Sequence, residues 1–355
     1  MISSNRNINN IFFIFALSHL LIWTVVPTIT NKNLPLDVIE ALAWGSNLDW
    51  GFNKHPPGSA FFPEVFFQIF GAQDWAYYFL SSLFVVISFY FVFKFANEIL
   101  QNKLLSLFSV LILEAIYFYN FTTPEFNVNV CQLPFWSLVV YFSWKIYCSK
   151  EIKLSDCFCI GLFGAIGFLS KYLFVYLLGS IFLLFTYLVF IKKDRKFDFK
   201  YFIILEVFIV LLVPHLVWLY GNDFITIFYG LKRTGLEPSL INHFEQPIFF
   251  LIKQLGILLP FFFLIWLLVK KIKFKLNIND KKLLFLLAIN LLPVFLILLT
   301  SAIMGSKIRT MWMTPFYLYF GVLFIYVLKS QINIKRTNSF LLGFLFRFFL
   351  SPILY

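Results

Sequence analysis

The residues able to do chemistry in this chain are few, and most of them fall in segments that separate long apolar runs. The stretch 34–44 reads as a helix entered through Pro35, a favoured residue at a helix start. On that helix Asp37, Glu40 and Trp44 share one face at i, i+3 and i+7. Two carboxylates on the first turns of a helix interact well with its dipole. They could serve as a proton acceptor, or as ligands of a divalent metal such as Mg or Mn, with the bland alternative that Asp37 only caps the helix. Eighteen residues after Asp37 comes His55-Pro56-Pro57-Gly58, where paired prolines force an extended turn that could carry the chain back toward the same helix. Glu125, Lys171, Arg233, Lys307 and Arg309 lie in other segments between apolar runs, while Glu114, His215 and Lys253 lie inside such runs. An ionisable group within an apolar span is costly and marks a candidate functional position. Snorkelling to the nearer surface is an equal alternative for Lys253, and His19, in the middle of the first run, is expected simply to be hydrogen-bonded.

The elements that position these residues follow from composition. Of the 355 residues 61% are hydrophobic and 13% charged, with a mean hydropathy of +0.84. A soluble domain carries roughly 25% charged residues, so a bilayer is the solvent this chain accepts. At about 20 apolar residues per span, membrane helices are expected near 11–29, 77–96, 104–119, 131–148, 157–170, 172–191, 201–220, 247–269, 283–300 and 310–328. A further stretch, 339–355, is either an eleventh span or a tail. The break at Ser170-Lys171 keeps a lysine out of mid-bilayer. The run 11–29 is followed by no small-residue cleavage site and reads as an uncleaved first helix. The expected fold is therefore an all-α polytopic membrane protein, one domain over 1–355, with a long first outer loop (about 30–76) carrying surface helices and no separate C-terminal soluble domain.

The net charge of +12 does not make a nucleic-acid face, because the basic residues sit in short runs between apolar stretches. With the N-terminus inside, 20 of the 29 basic residues face the cytoplasm, and only Lys32, Lys54, Lys171, Lys232, Arg233, Lys307 and Arg309 face outward. That bias places the acids and bases above on the outer side. Cys131, Cys148, Cys157 and Cys159 form neither a zinc nor a disulfide pattern.

From Asp37 through Trp44, Leu48 and Gly51-Phe52-Asn53-Lys54-His55-Pro56-Pro57, the chain resembles the first outer loop of the dolichyl-phosphate-mannose-protein mannosyltransferase-like glycosyltransferases. This group includes the bacterial aminoarabinose transferases acting on lipid A. The resemblance continues through Thr123-Pro124-Glu125, the Gly-rich segment 161–172 ending Ser-Lys-Tyr, and Pro214-His215-Leu216-Val217-Trp218 with Asp223-Phe224 and Arg233, covering roughly 11–328. It implies a GT-C-type helical bundle of about 10–11 transmembrane helices in a bacterial inner membrane, with its active site at the periplasmic face. The donor would be a sugar on a polyprenyl phosphate and the acceptor a lipid A-like lipid, a glycan or a protein. Asp37 matches the catalytic acid of the family. The family places Glu directly after it, where this chain has Val38, and Glu40 one turn on is the nearest substitute. Glu40, His55, Glu125, Lys171, Arg233, Lys253, Lys307 and Arg309 are then candidates for substrate binding, with Asp37 and Glu40 the metal candidates. The rival readings are a flippase or transporter of lipid-linked sugars, a polysaccharide polymerase or ligase, and an inactive relative. No internal repeat of the transporter kind is present.

Overall fold

The structure is a computed structural model that describes the chain except for residues 1–4, 236–238, 270, 271, 274–276 and 278. Glu237 and the loop lysines Lys270, Lys271 and Lys275 lie outside the described residues. Fifteen α-helices are described, and they follow the apolar runs. In chain order they are α1 (Asn5–Thr30), α2 (Leu36–Gly45), α3 (Gly58–Phe70), α4 (Asp74–Leu100), α5 (Lys103–Leu111), α6 (Val128–Cys131), α7 (Leu133–Cys148) and α8 (Leu154–Ser170). Then come α9 (Val175–Thr186), α10 (Tyr201–Gly221), α11 (Ile225–Thr234), α12 (Asn242–Leu268), α13 (Lys281–Met304), α14 (Phe320–Leu328) and α15 (Thr337–Leu354). Among the described residues seven helical segments are long and apolar enough to cross a bilayer, and a bent pair adds an eighth. Every expected span is at least partly helical, the stretch 339–355 included, but three are short. Helix α8 has 17 residues, α7 has 16 and α5 only nine.

Two spans break where the sequence reading expected continuous helix. After Leu111 the chain of α5 tightens into 3-10 turns at Ile112–Ala115 and Tyr117–Tyr119. The last span opens as a 3-10 segment, Thr310–Tyr317, and bends by 54° before α14. Breaks of this kind survive at membrane depth only where protein re-satisfies the freed backbone groups. The Tyr119 hydroxyl donates to the Thr314 carbonyl at 2.8 Å, so each broken segment supports the other.

The break in α5 has a clear cause. Glu114 is 1% exposed and meets His19 of α1, 0% exposed, at 2.5 Å between carboxylate and Nδ1. The Asn120 amide donates both to the Glu114 carboxylate (3.1 Å) and to its carbonyl (2.7 Å). Thr123 then donates to the Asn120 carbonyl at 2.8 Å, and Ser81 of α4 donates to the carbonyl of Thr123. A buried carboxylate that must reach both α1 and the following loop cannot keep regular helix beyond it. This chain of bonds leads from the bilayer interior to the Thr123-Pro124-Glu125 turn.

Packing is otherwise aromatic. Lipid tails are as apolar as leucine, so helices associate through close contact and inter-helix hydrogen bonds rather than a hydrophobic drive. Helix α4 sits at the centre, with 61% of its apolar window buried against 17% for α10, which faces lipid. Phe95 of α4 meets Tyr319 edge-on at 5.0 Å, and the Tyr319 hydroxyl donates to the Ser137 carbonyl of α7 at 2.9 Å. The Gly-rich α8 packs on α10 because a Cβ on Gly161 would come within 2.7 Å of the Ile204 carbonyl. Helix α15 lies against α1 and α12, with Phe344 5.8 Å from Phe15, and the terminal Tyr355 accepts a hydrogen bond from Asn31 at 2.9 Å.

Candidate functional site

The long segment between α1 and α4 folds into two helices, α2 and α3, joined by the His-Pro-Pro turn. Helix α2 starts directly after Pro35, and Val38 and Ala41 bury its inner face. That leaves Asp37 and Glu40 half-buried at the edge of the cluster. The turn after α2 is held by Trp44 stacked on Phe52 at 5.3 Å and by the Phe52 amide donating to the His55 carbonyl at 3.1 Å. His55 sits between the rings of Trp44 (6.0 Å) and Tyr229 of α11 (6.5 Å). Gly58 opens α3 against the end of α8, where a Cβ would stand 2.9 Å from the Leu169 carbonyl. This close approach brings the turn beside Lys171. Gly58→Ala is expected to cost about 1–3 kcal/mol through overpacking, read as a lower midpoint in thermal unfolding of the detergent-solubilised protein.

Lys171 caps the end of α8 and is 6% exposed. Its ammonium donates to Asn129 and lies 4.9 Å from the centre of the Trp312 ring. Asn129 belongs to the short helix α6, held by the Asn127 side chain at its start. Helix α10 contributes His215. Its Nδ1 is 2.6 Å from the Trp50 carbonyl, which can only accept, so Nδ1 carries the proton and Nε2 accepts from the Tyr172 hydroxyl at 2.7 Å. Thr226 of α11 donates to the Phe52 carbonyl at 2.5 Å, tying that helix over the loop. Arg233 on α11 reaches the Tyr229 hydroxyl at 2.5 Å.

Seven of the nine candidate residues thus share one electrostatic neighbourhood. Burial raises the Asp37 pKa and Glu40 raises it further, against the lowering pull of Lys54, Arg233 and Lys171. The Glu125 carboxylate accepts the Asp37 backbone N–H at 3.4 Å, and burial followed by the Asp37 charge raises its pKa as well. Glu40 is engaged by the ammonium of Lys54. Arg309 acts on Lys171. Lys307 is exposed next to this group, its backbone N–H bonded to the Thr234 carbonyl at 3.1 Å. Lys253 is exposed on α12 between exposed Ile252 and Leu255, and it is not among the charges acting on Asp37, His55 or Lys171. Sequence reasoning passed over Asn129, Trp312 and the pairing role of Lys54. Lys54 stood inside the His-Pro-Pro motif, but nothing local marks the other two.

Burial, followed by the cations Lys171, Arg233 and Lys54, depresses the His55 pKa from 6.5 to about 3. His55 is therefore neutral at physiological pH and adds no limb to a pH–activity curve. Its depressed pKa makes its stability contribution fully present above 6.5 and progressively lost as pH falls toward about 3. In His55→Asn that acid-side loss is expected to shrink, as read by unfolding at graded pH. Among the described residues no three His, Cys, Asp or Glu side chains gather as a metal-binding group. Glu40 is paired with Lys54, and Asp37 lies half-buried three residues before it on the same face of α2.

Residues 54–218 match the family model of dolichyl-phosphate-mannose-protein mannosyltransferase. Fold and match together define the class: a polytopic, all-α membrane protein that resembles the dolichyl-phosphate-mannose-protein mannosyltransferases over the matched residues. Within that class the chain is similar in structure to ArnT from Cupriavidus metallidurans bound to undecaprenyl phosphate, at a TM-score of 0.69 and 14% sequence identity over 96% of this chain and 63% of that one. The apo state of the same protein gives 0.68 and 15%, over 94% and 62%. The chain therefore spans less than two thirds of the length of these structures. Comparison with curated protein sequences gives no significant match.

Proposed function

We propose that this protein transfers a sugar from a polyprenyl-phosphate donor to a lipid, glycan or protein acceptor on the non-cytoplasmic face of a bacterial inner membrane. The observation that carries this reading is the grouping of Asp37 with Lys171 and Arg233, with Arg309 acting on Lys171. Transfer requires a group to accept the acceptor's proton and cations to stabilise the departing phosphate. Asp37 takes the proton from an acceptor hydroxyl as its oxygen attacks the anomeric carbon. The bond from that carbon to the phosphate oxygen breaks with its electron pair on the phosphate. Lys171 meets the phosphate as a point charge and Arg233 as a bidentate donor. Arg309 and Lys307 add positive potential, and Glu125 fixes Asp37 through its backbone N–H. Where the acceptor is itself a phosphate, no proton need be removed, and Asp37 orients it instead.

The reading is supported by the family match and by the undecaprenyl phosphate seen in the similar protein, which offers a donor lipid of the right chemistry. The upward shift of the Asp37 pKa sets the sign of the pH dependence. Its carboxylate forms only above the raised value, so transfer is expected to fall off on the acid side at a higher pH than an ordinary aspartate would give. The test is purified protein in liposomes with radiolabelled polyprenyl-phosphate sugars and membrane acceptors, in Mg²⁺ and in EDTA. Label passing to an acceptor supports transfer. Label crossing the bilayer with the donor bond intact would make the protein a flippase, and unchanged transfer in EDTA would remove the metal role expected of Asp37 and Glu40.

A further inference from the structure

At the other end of the bundle a second polar chamber opens. Helix α8 begins beside it and ends at Lys171, and 17 residues at 1.5 Å each put the two ends about 25 Å apart. The chamber has a volume of about 800 Å³, and its walls carry Lys150, Arg195, Lys196, Lys281 and Lys282 against two acids, Asp194 and Asp198. Asp194 is already engaged by Lys192 at 3.0 Å and Lys281 at 3.6 Å, so the chamber is cationic. Its wall is rigid. The Arg195 guanidinium donates to the carbonyls of Ile146 (2.9 Å), Tyr147 and Ser149 (3.1 Å) at the end of α7, and Lys282 donates to the Ile99 carbonyl at 2.8 Å.

Two apolar troughs flank this chamber, one on each side of α9. The first, about 440 Å³ between α8, α9 and α10, is lined by residues such as Leu178, Phe182 and Phe208, and it shares Phe197 and Tyr201 with the cationic chamber. The second, about 360 Å³ between α9 and α13, is lined by Leu183, Leu287 and Leu291, and its Leu284 stands two residues from Lys282. Helix α9 loosens into a π-turn at Tyr187–Ile191 between them, the kind of local unwinding that often marks a functional site.

We propose that this end of the protein binds one two-chain anionic phospholipid, its phosphate in the cationic chamber and one acyl chain in each trough. A zwitterionic lipid would bring a cation into a chamber already rich in them, and a single-chain lipid would leave one trough unfilled. Basic pockets between membrane helices on the cytoplasmic side hold anionic headgroups by this chemistry. The site is separate from the Asp37 cluster and does not depend on the transfer reading.

The test is native mass spectrometry of the full delipidated chain with phosphatidylglycerol or phosphatidylcholine added. Lys150, Lys196 and Lys281 make none of the carbonyl bonds that cap α7, so Lys150→Gln/Lys196→Gln/Lys281→Gln is expected to fold. It should bind phosphatidylglycerol at least about tenfold more weakly than wild type, with phosphatidylcholine weak for both. Leu178→Trp and Leu287→Trp keep every cation and should each weaken phosphatidylglycerol binding by filling a trough. Equal binding by wild type and the triple variant would overturn the proposal, as would equal binding of the two lipids. Full displacement of the lipid by millimolar inorganic phosphate would overturn it too, because the chamber would then be a free-anion site. Trough variants that bind as wild type would refute the seating of the two chains.

Discussion

Asp37→Asn is expected to lower sugar transfer about 10²–10⁴-fold, the usual contribution of a positioned general base, while the protein folds and inserts as before. The substitution is nearly isosteric. The Asp37 backbone N–H, which Glu125 accepts, is unchanged, and the anchoring of α2 through Val38 and Ala41 does not involve the carboxylate. Only the proton acceptor and one negative charge are lost. Losing that charge should also leave Lys171 and Arg233 less neutralised in the empty site, so donor affinity is expected to hold or improve while turnover collapses. Single-turnover measurement with radiolabelled donor separates these outcomes. Turnover at the wild-type rate would remove Asp37 as the base. A loss of donor binding with intact turnover would recast it as a binding residue.

The second large effect lies in the bilayer interior. Glu114→Leu is expected to destabilise the protein by about 3–5 kcal/mol, because it leaves His19 buried without its partner. His19→Leu alone should cost a similar amount by stranding Glu114. The double variant with Leu at both positions should recover most of the loss, since apolar replacement of a buried pair is often neutral. Thermal unfolding of the four proteins in detergent gives the coupling directly. Additive losses would show that the pair is not an energetic unit. Glu114 also holds Asn120, and through it the Thr123 turn that precedes Glu125. The Glu114 variants should therefore lose transfer activity beyond what their folded fraction explains.

Much of this organisation was legible from residue order. The apolar runs located the helices, and the length and aromatic content of 30–76 announced surface helices that the structure supplies as α2 and α3. Asp37, His55, Lys171 and Arg233 were picked out from four separate segments, and they share one electrostatic neighbourhood. What escaped were partnerships between residues far apart in sequence. Lys171 with Asn129 and with Trp312 leave no periodic trace, because each partner lies more than forty positions from the lysine. The His19–Glu114 pair escaped for the same reason. His19 read as a lone hydrogen-bonded histidine and Glu114 as a carboxylate within a regular span, yet their meeting ends α5 at Leu111. Lys253 shows the converse error source. An apolar stretch marks a cation as costly, but periodicity does not tell a helix face turned to lipid from one turned to the cluster. Its exposure on α12 leaves snorkelling as the simpler account.

The donor's phosphate is expected to meet the Asp37 cluster, and photo-crosslinking tests this without knowledge of the acceptor. A polyprenyl phosphate carrying a diazirine next to the phosphate, irradiated with the purified protein and mapped by peptide mass spectrometry, should label segments 37–58, 125–129 and 225–234. Lys171→Met/Arg233→Gln should abolish that labelling. Labelling concentrated instead at 147–150 and 194–201, at the opposite end of the bundle and indifferent to Lys171 and Arg233, would contradict the account.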